Sequence, residues 1–420
     1  MNATDYLIVG SSHAALEAIS AIRLQDPAAS LTVLTRDRHL PYSPTLLPYV
    51  VSGRSAPGRV TLRNDAFFAE QRVRLQREAT VASVRPEANT VELEDGTLWQ
   101  YGKLLLATGA APSVPPIAGM DSVRSYRLRT LDDSLALRDA IGTAHRAVVL
   151  GAGLIGMHAA ENLAAGGVAV TVIEPRDQVL PSYFDDEAAG YIERSFTAHG
   201  VAFRFGRTAV SAAPDGAGCR LTLDDGAELE ADLLLVATGV RAEFGYLAGS
   251  GIATGRGILV DATMRTSAES VWAAGDVAEA PCFPGPGTAV AGILPEAVAQ
   301  GRTAGMAMAG DAALTPYRGS VPRNTYCFFG QSAISVGSGV AGEPDPGVEI
   351  FTQRDPGAGA YRRIAFREDR LLGMAAVNLT VDAGILCELI LRQIDLAPVK
   401  QRFVEQPCET GRMLMSRLWR

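Results

Sequence analysis

The sequence predicts an α/β protein built from two glycine-turned βαβ units, one inserted in the other, followed by an α+β tail. Three observations carry this. Residues 148–174 read VVLGAGLIGMHAAENLAAGGVAVTVIE: a strand, three spaced glycines, a helix and a second strand that stops at an acid. Residues 5–37 hold a degraded copy of that pattern. After each copy comes an Asp-Gly turn and then a strand closing in Ala-Thr-Gly, at 95–109 and at 225–239. This is an internal duplication at the level of architecture.

In the first unit, residues 5–9 form an apolar strand, Gly10-Ser-Ser12-His13-Ala-Ala15 a turn, 14–24 a helix and 30–35 a second strand. Ser12 stands where the second glycine would be, and Ala15 where the third would be. Both are small, so a phosphate can still approach the backbone closely. His13 reads as a turn residue or a catalyst. Asp37, two residues past the strand end, is the nearest candidate for a ribose-binding acid. Arg36 and Arg38 flank it, so a surface ion pair is the other reading. Residues 39–53 are rich in proline and aromatics, too apolar for a solvent loop and too broken for a helix. Residues 91–95 and 101–106 read as a strand pair that ends in Ala107-Thr108-Gly109.

In the second unit, the strand at 147–150 runs into Gly151-Ala-Gly153-Leu-Ile-Gly156. Gly151 allows the tight strand-to-helix turn, Gly153 lets a pyrophosphate approach the helix N-terminus, and Gly156 lets the helix lie close on the sheet. The helix runs to about 165, Gly166-Gly167 ends it, and a strand at 169–173 stops at Glu174. Glu174 lies about twenty residues beyond the second glycine, where a carboxylate can accept hydrogen bonds from an adenosine ribose. A glycine-rich turn that only packs would leave this acid unexplained. The unit therefore predicts a dinucleotide site, and the two units together predict Rossmann-like folds.

The strand at 231–236 leads to Ala237-Thr238-Gly239. Strands at 257–260 and 271–274 follow, the latter entering Gly275-Asp276. Leu294-Pro295-Glu296 opens a helix to about 309, with Gly310 as its stop. From about 317 the character changes, with strands at 325–336, 348–353, 361–367 and 371–378 and a helix at 384–392. This tail carries no acid, His or Cys cluster and reads as a module that packs on the other domains or on a partner.

The 420 residues are 47% apolar and 20% charged, with a net charge of −8. Nothing in that balance argues for nucleic acid or an anionic membrane as partner. The first residues enter a strand with no basic region or cleavage site, so no signal peptide is expected. No apolar run reaches the ~18 residues of a membrane span. Cys219, Cys282, Cys327, Cys387 and Cys408 lie far apart, which predicts free thiols in a reducing cytoplasm and no cluster or metal site in this chain.

The motifs Gly10 to Ala15, Ala107-Thr108-Gly109, Gly151 to Gly156, Ala237-Thr238-Gly239 and Ala274-Gly275-Asp276 occur in the order of the FAD- and NAD(P)H-dependent pyridine nucleotide oxidoreductases. The chain resembles that family over about residues 4–310. The resemblance implies an FAD-binding domain from 1–115 and 241–315, an NAD-binding domain inserted at 116–240, and a C-terminal α+β interface domain at 316–420. It implies that Gly10, Ser12, Ala15, Asp37, Val81, Ala107, Thr108, Gly109, Arg129, Gly275, Asp276, Leu294 and Pro295 serve FAD. Gly151, Gly153, Gly156, Glu174 and Gly239 would serve NAD. Asp276 would hold the ribityl and pyrophosphate region, and Leu294 and Pro295 would lie beside the flavin ring at a helix N-terminus. No catalytic acid, base or metal is implied.

Departures from the family are informative. One branch, the coenzyme A-disulfide reductases and NADH oxidases, carries a redox cysteine two residues before Leu-Pro-Tyr. Aligning Leu47-Pro48-Tyr49 puts Thr45 there. No cysteine precedes Cys219, so a thiol relay at the flavin face is disfavoured. Where ferredoxin-reductase relatives have an arginine after Tyr-Ser, this chain has Pro44. Where many members have an acid near the nicotinamide, it has His158, which tunes nicotinamide binding or is tucked under the flavin domain.

Over its whole length the chain is similar to flavoprotein subunits of NADH-dependent 2-oxo acid dehydrogenase complexes. The stretches that carry this include 5–18, 40–44, 47–53, 151–163, 306–311 and 418–420. That resemblance implies partners holding iron–sulfur clusters and thiamine diphosphate, with this chain collecting electrons and passing a hydride from reduced flavin to NAD⁺. Two other functions stay open. One is a stand-alone NADH oxidase or a reductase of ferredoxin, rubredoxin or nitrite reductase. The other is an FAD- and NADH-binding sensor or assembly protein with little turnover. Glu174 would repel a 2′-phosphate and so favours NAD over NADP, while Arg176 is where a phosphate-binding arginine could sit.

Overall fold

Unbroken apolar runs form strands that are buried on both faces, which is the signature of a parallel sheet covered by helices. A computed structural model describes residues 1–418; Trp419 and Arg420, in the last of the stretches above, lie outside the described residues. The chain folds as two compact units.

The first unit comprises Met1–Ala111, Arg129–Leu131 and Val240–Ser320. Strand Asn2–Val9 lies at its centre. It pairs in parallel with Leu31–Leu34 on one side and Leu98–Leu106 on the other. Val73–Gln76 extends one edge in parallel, and Thr90–Leu93 and Val81–Arg85 add an antiparallel meander at the other. Val271–Ala273 also pairs in parallel with Leu98–Leu106.

Helix His13–Gln25 packs tightly against helix Leu294–Ala309. Small residues allow this. A Cβ on Gly301 would sit 2.2 Å from the Ala14 carbonyl oxygen, and one on Gly305 2.6 Å from that of Ala18. The second helix ends at Gly310 in the left-handed region, as its sequence predicts.

Within residues 39–53, residues 44–51 do form helix, contrary to the expectation. Pro44–Leu46 is a 3₁₀ turn and Leu47–Val51 a short α-helix. Pro44 and Pro48 each lie in the first turn of their element, where a missing N–H leaves no hydrogen bond unmade. The prolines mark starts here, not breaks.

The second unit comprises Pro112–Leu128, Asp132–Gly239 and Val321–Arg420. Its first sheet is parallel throughout, in the order Val201–Phe205, Ala169–Glu174, Arg146–Leu150, Leu233–Val236, Ser125–Tyr126. The expected strand 231–236 is broken at Asp232. Glu228–Ala231 belongs to a three-stranded antiparallel flap with Ala209–Asp215 and Gly218–Leu223, and only Leu233–Val236 enters the parallel sheet. The Asp232 carboxylate accepts from His145 N–H at 3.0 Å and Arg146 N–H at 2.9 Å, which pins the crossover between the two sheets.

The tail forms a five-stranded antiparallel sheet in the order Arg323–Phe328, Gln331–Gly337, Arg370–Val377, Ala360–Arg367, Glu349–Asp355. What looked like one strand at 325–336 is a hairpin turned at Phe329-Gly330, both with positive φ. Helices Ala383–Leu391, Lys400–Glu405 and Pro407–Leu418 follow, the last two unforeseen. The tail is fastened within this unit at Asp185, the buried N-cap of helix Asp186–Ala198. Its carboxylate accepts from Ala188 N–H, from the Tyr361 hydroxyl, and from Arg363 at 2.6 Å.

Candidate dinucleotide sites

The strand-to-helix turn of the second unit is shaped by three glycines in three ways. Gly151 has φ of 100°, and a Cβ there would lie 2.6 Å from the Ala237 carbonyl oxygen. A Cβ on Gly156 would lie 2.0 Å from the carbonyl oxygen of Gly151. These two positions are closed by the protein's own backbone. Gly153 is the N-cap of helix Leu154–Ala165, and a Cβ there would meet nothing within 4 Å. Open space therefore faces the positive end of the helix, where an anionic group finds backbone N–H donors.

Glu174 closes the next strand and is buried. Its carboxylate accepts from Ala152 N–H at 2.7 Å and Arg176 N–H at 3.1 Å, so it braces the glycine turn. Two carboxylate oxygens carry about four acceptor sites, which leaves capacity for a ribose diol. Gly239 has φ of 103° with open space about its Cα, and its carbonyl accepts from Ser113 N–H. The pyrophosphate-and-ribose geometry of a dinucleotide fits these residues.

The first unit repeats the arrangement with different side chains. A Cβ on Gly10 would lie 2.1 Å from the Ala107 carbonyl oxygen, so this turn also admits only glycine. Ser12 is the helix N-cap in extended conformation, and Ala15 is fully buried in the third glycine's place. Gly275 lies over the helix start, where a Cβ would be 3.3 Å from that of Ala14. Its N–H donates to the buried Gln300 side chain at 2.9 Å. Asp276 forms an ion pair with Arg129 at 3.0 Å, and a Cβ on Gly109 would sit 3.2 Å from the same guanidinium. The fold thus brings Gly109, Arg129, Gly275 and Asp276 together.

Thr108 donates to the Glu243 carbonyl and pairs with the Tyr246 hydroxyl, both at 2.9 Å. Leu294 and Pro295 are the first two residues of their helix. Val81 opens its edge strand opposite Leu93 and is half-buried.

Asp37 has another occupation. Its carboxylate accepts from His39 N–H at 2.9 Å and from the Tyr42 hydroxyl at 2.7 Å. The Tyr42 oxygen in turn accepts from Leu131 N–H at 3.1 Å, two residues from Arg129. Arg36 pairs with Glu243 at 2.7 Å. His13 meets the buried Ser43 hydroxyl at 3.1 Å through Nε2, and Ser43 meets Thr45 at 2.9 Å. Burial holds the His13 imidazole below its ordinary pKa.

Sequence reasoning missed Gln300, Glu296 and Tyr317. Tyr317 donates to the buried Glu296 carboxylate at 2.6 Å, and burial together with that carboxylate pushes the phenol up. The spacing of Glu296 and Gln300, one turn apart, was the available signal. His158 lies against a neighbour that neither reading named. Its ring meets Tyr326 of the tail sheet edge-on at 4.7 Å, and Glu161, on the same face, accepts from Phe329 N–H at 2.9 Å.

The family model for pyridine nucleotide-disulphide oxidoreductases matches residues 4–301, a span that contains both turns. The chain belongs to that family. It is an oxidoreductase, and among the described residues all five cysteines are free. It is 52% identical over 418 residues to the NADH-dependent phenylglyoxylate dehydrogenase subunit epsilon of Aromatoleum evansii, covering 99% of this chain and 98% of the relative. It is 27% identical to the assimilatory nitrate reductase electron transfer subunit of Bacillus subtilis, covering 95% of this chain but only 51% of that protein.

The water-forming NADH oxidase from Lactobacillus brevis, solved with NADH bound, superposes with a TM-score of 0.85 at 26% identity, covering 94% of this chain and 92% of that one. Among the described residues no helix is long and apolar enough to cross a membrane.

Proposed function

We propose that this chain is the FAD-containing electron-transfer subunit of a 2-oxo acid dehydrogenase complex of the phenylglyoxylate type. In this reading it takes electrons from partner iron–sulfur subunits, with thiamine diphosphate chemistry on another partner, and reduces NAD⁺ in the cytoplasm. One observation carries the reading: two dinucleotide turns stand in one chain, with a threonine and not a thiol beside the first. FAD, when bound, supplies a carrier that can accept electrons singly and release them as a hydride.

The chain's residues do the holding. In the first unit Gly10, Ser12 and Ala15 admit the pyrophosphate to the helix N-terminus, backed by Ala107. Asp276 and Arg129 form the polar wall by Thr108, Gly109 and Gly275, with Val81 at the nucleotide end. Asp37 supports Tyr42 and so the segment that carries Arg129. Leu294 and Pro295 present a helix N-terminus to the ring, which favours negative charge there. In the second unit Gly151, Gly153, Gly156 and Gly239 admit NAD, and Glu174 accepts from its ribose. The Glu174 carboxylate also repels a 2′-phosphate, which sets the preference for NAD over NADP.

The test is to purify the chain alone and together with its partner subunits. Alone, it should retain FAD and reduce NAD⁺ when supplied with a reduced one-electron dye. It should oxidise phenylglyoxylate only in the presence of the partners. Rapid oxygen consumption with NADH by the isolated chain would instead establish an oxidase, and 2-oxo acid turnover by the chain alone would overturn the proposal.

A further inference from the structure

Glu296 is a buried acid that the proposed electron path does not use. It is 5% exposed and stands two residues after Leu294, in the first turn of helix Leu294–Ala309. One turn further on is Gln300, also buried, which accepts from Gly275 N–H at 2.9 Å. The Tyr317 hydroxyl donates to Glu296 at 2.6 Å and lies close to the side chains of Gln300 and Ser320. A buried polar chain thus runs from Gly275, beside Asp276, through Gln300 and Tyr317 to Glu296. All of these residues belong to the first unit.

Packing alone does not call for an acid here. A glutamine would accept the Tyr317 hydrogen bond through its amide oxygen, whereas a covered carboxylate costs desolvation. What the carboxylate adds is negative charge at the positive end of the helix. Few backbone donors are open in that turn. Pro295 has no N–H, and the N–H groups of Glu296 and Ala297 both donate to the Ile293 carbonyl at 3.1 Å. An anion already held in the first turn offsets the helix dipole and weakens the field offered to a second anion at the same end.

We infer that Glu296, held by Tyr317, lowers the reduction potential of the flavin by opposing the negative charge that reduction places on the ring. This rests on the proposal that the first unit holds FAD with Leu294 and Pro295 beside that ring. The helix end favours charge there, and the acid limits how far. A flavin tuned in this way gives up a hydride more readily, which suits a chain that reduces NAD⁺.

The experiment is a redox titration of the full chain loaded with FAD, followed by flavin absorbance. Glu296→Gln keeps an acceptor for Tyr317 and removes the charge. It should favour reduction by about tenfold, a rise of about 30 mV for a two-electron couple. Tyr317→Phe removes the same hydrogen bond but keeps the acid. It should lower the melting temperature and move the potential much less.

An unchanged or lowered potential in Glu296→Gln would overturn the inference. Equal rises in the two variants would also overturn it, because the hydrogen bond and not the charge would then be responsible. Should Glu296→Gln hold no flavin, Glu296→Asp takes its place. A potential near that of the unaltered chain supports the inference, and a rise like that expected of the glutamine variant overturns it. If the unaltered chain binds no FAD at all, the functional proposal fails instead, and the two failures are distinct.

Discussion

Arg129 and Asp276, 147 residues apart in sequence, meet at 3.0 Å with side-chain exposures of 26% and 21%. A partly covered charged hydrogen bond of this kind is worth about 1.5–3 kcal/mol, and removing one partner leaves the other charge poorly solvated. Arg129→Met should therefore lower the melting temperature and release flavin at a lower temperature than the unaltered chain. Asp276→Asn keeps an acceptor and should do less. Flavin fluorescence recorded during a thermal ramp measures both effects. Equal release from the two variants and the unaltered chain would remove the pair from the site.

The glycine turn of the second unit makes a sharper distinction. Gly151→Ala forces a side chain into φ of 100° and to 2.6 Å from a carbonyl oxygen. Such strain costs about 1–3 kcal/mol before any clash is counted, and the chain should be visibly destabilised. Gly153→Ala meets no protein atom within 4 Å and should melt normally, yet raise the KM for NADH because its methyl occupies ligand space. The two glycines thus separate folding from binding in one motif. A Gly153→Ala variant with unchanged KM would place the pyrophosphate elsewhere.

Both glycine turns, their helices and the helix ending at Gly310 were legible because each rests on local chemistry: a positive φ, a close approach or a cap. The ion pair of Arg129 with Asp276 was not, since its partners come from remote segments. The residues there were visible only through family resemblance. Asp37 is the nearest acid to the strand end, and its carboxylate is engaged with His39 N–H and the Tyr42 hydroxyl, partners that lie in a loop whose fold its composition did not reveal. The break at Asp232 and the hairpin at Phe329-Gly330 were hidden because an aspartate and a phenylalanine took positions that composition alone assigns to continuous strand.

The tail depends on a buried charge. Asp185 caps its helix and also receives Tyr361 and Arg363 from the tail sheet. Asp185→Ala removes the cap and leaves Arg363 without its carboxylate. Breaking a buried pair in this way costs about 3–5 kcal/mol. Denaturant unfolding should show a clear loss of stability, accompanied by increased hydrogen exchange in strand Ala360–Arg367. Arg354 and Glu187 form a more exposed pair at 2.7 Å, and Arg354→Ala should cost well under that. Similar losses in the two variants would show that burial at Asp185 is not the deciding factor.

His13 gives the chain a pH dependence whose sign is fixed. Burial lowers its pKa from 6.5 in the folded state, against a weaker opposing pull from Glu17 and Asp276. The unfolded chain then binds more protons than the folded one as pH falls through the histidine range, so this group's contribution to stability is present above about pH 6.5 and lost below it. His13→Gln keeps a polar contact but cannot titrate. The stability advantage of the unaltered chain over this variant should accordingly be larger at pH 8 than at pH 5, as measured by paired thermal melts. An advantage that grows on acidification would mean that the charged imidazole, drawn to Asp276, is the form the fold prefers.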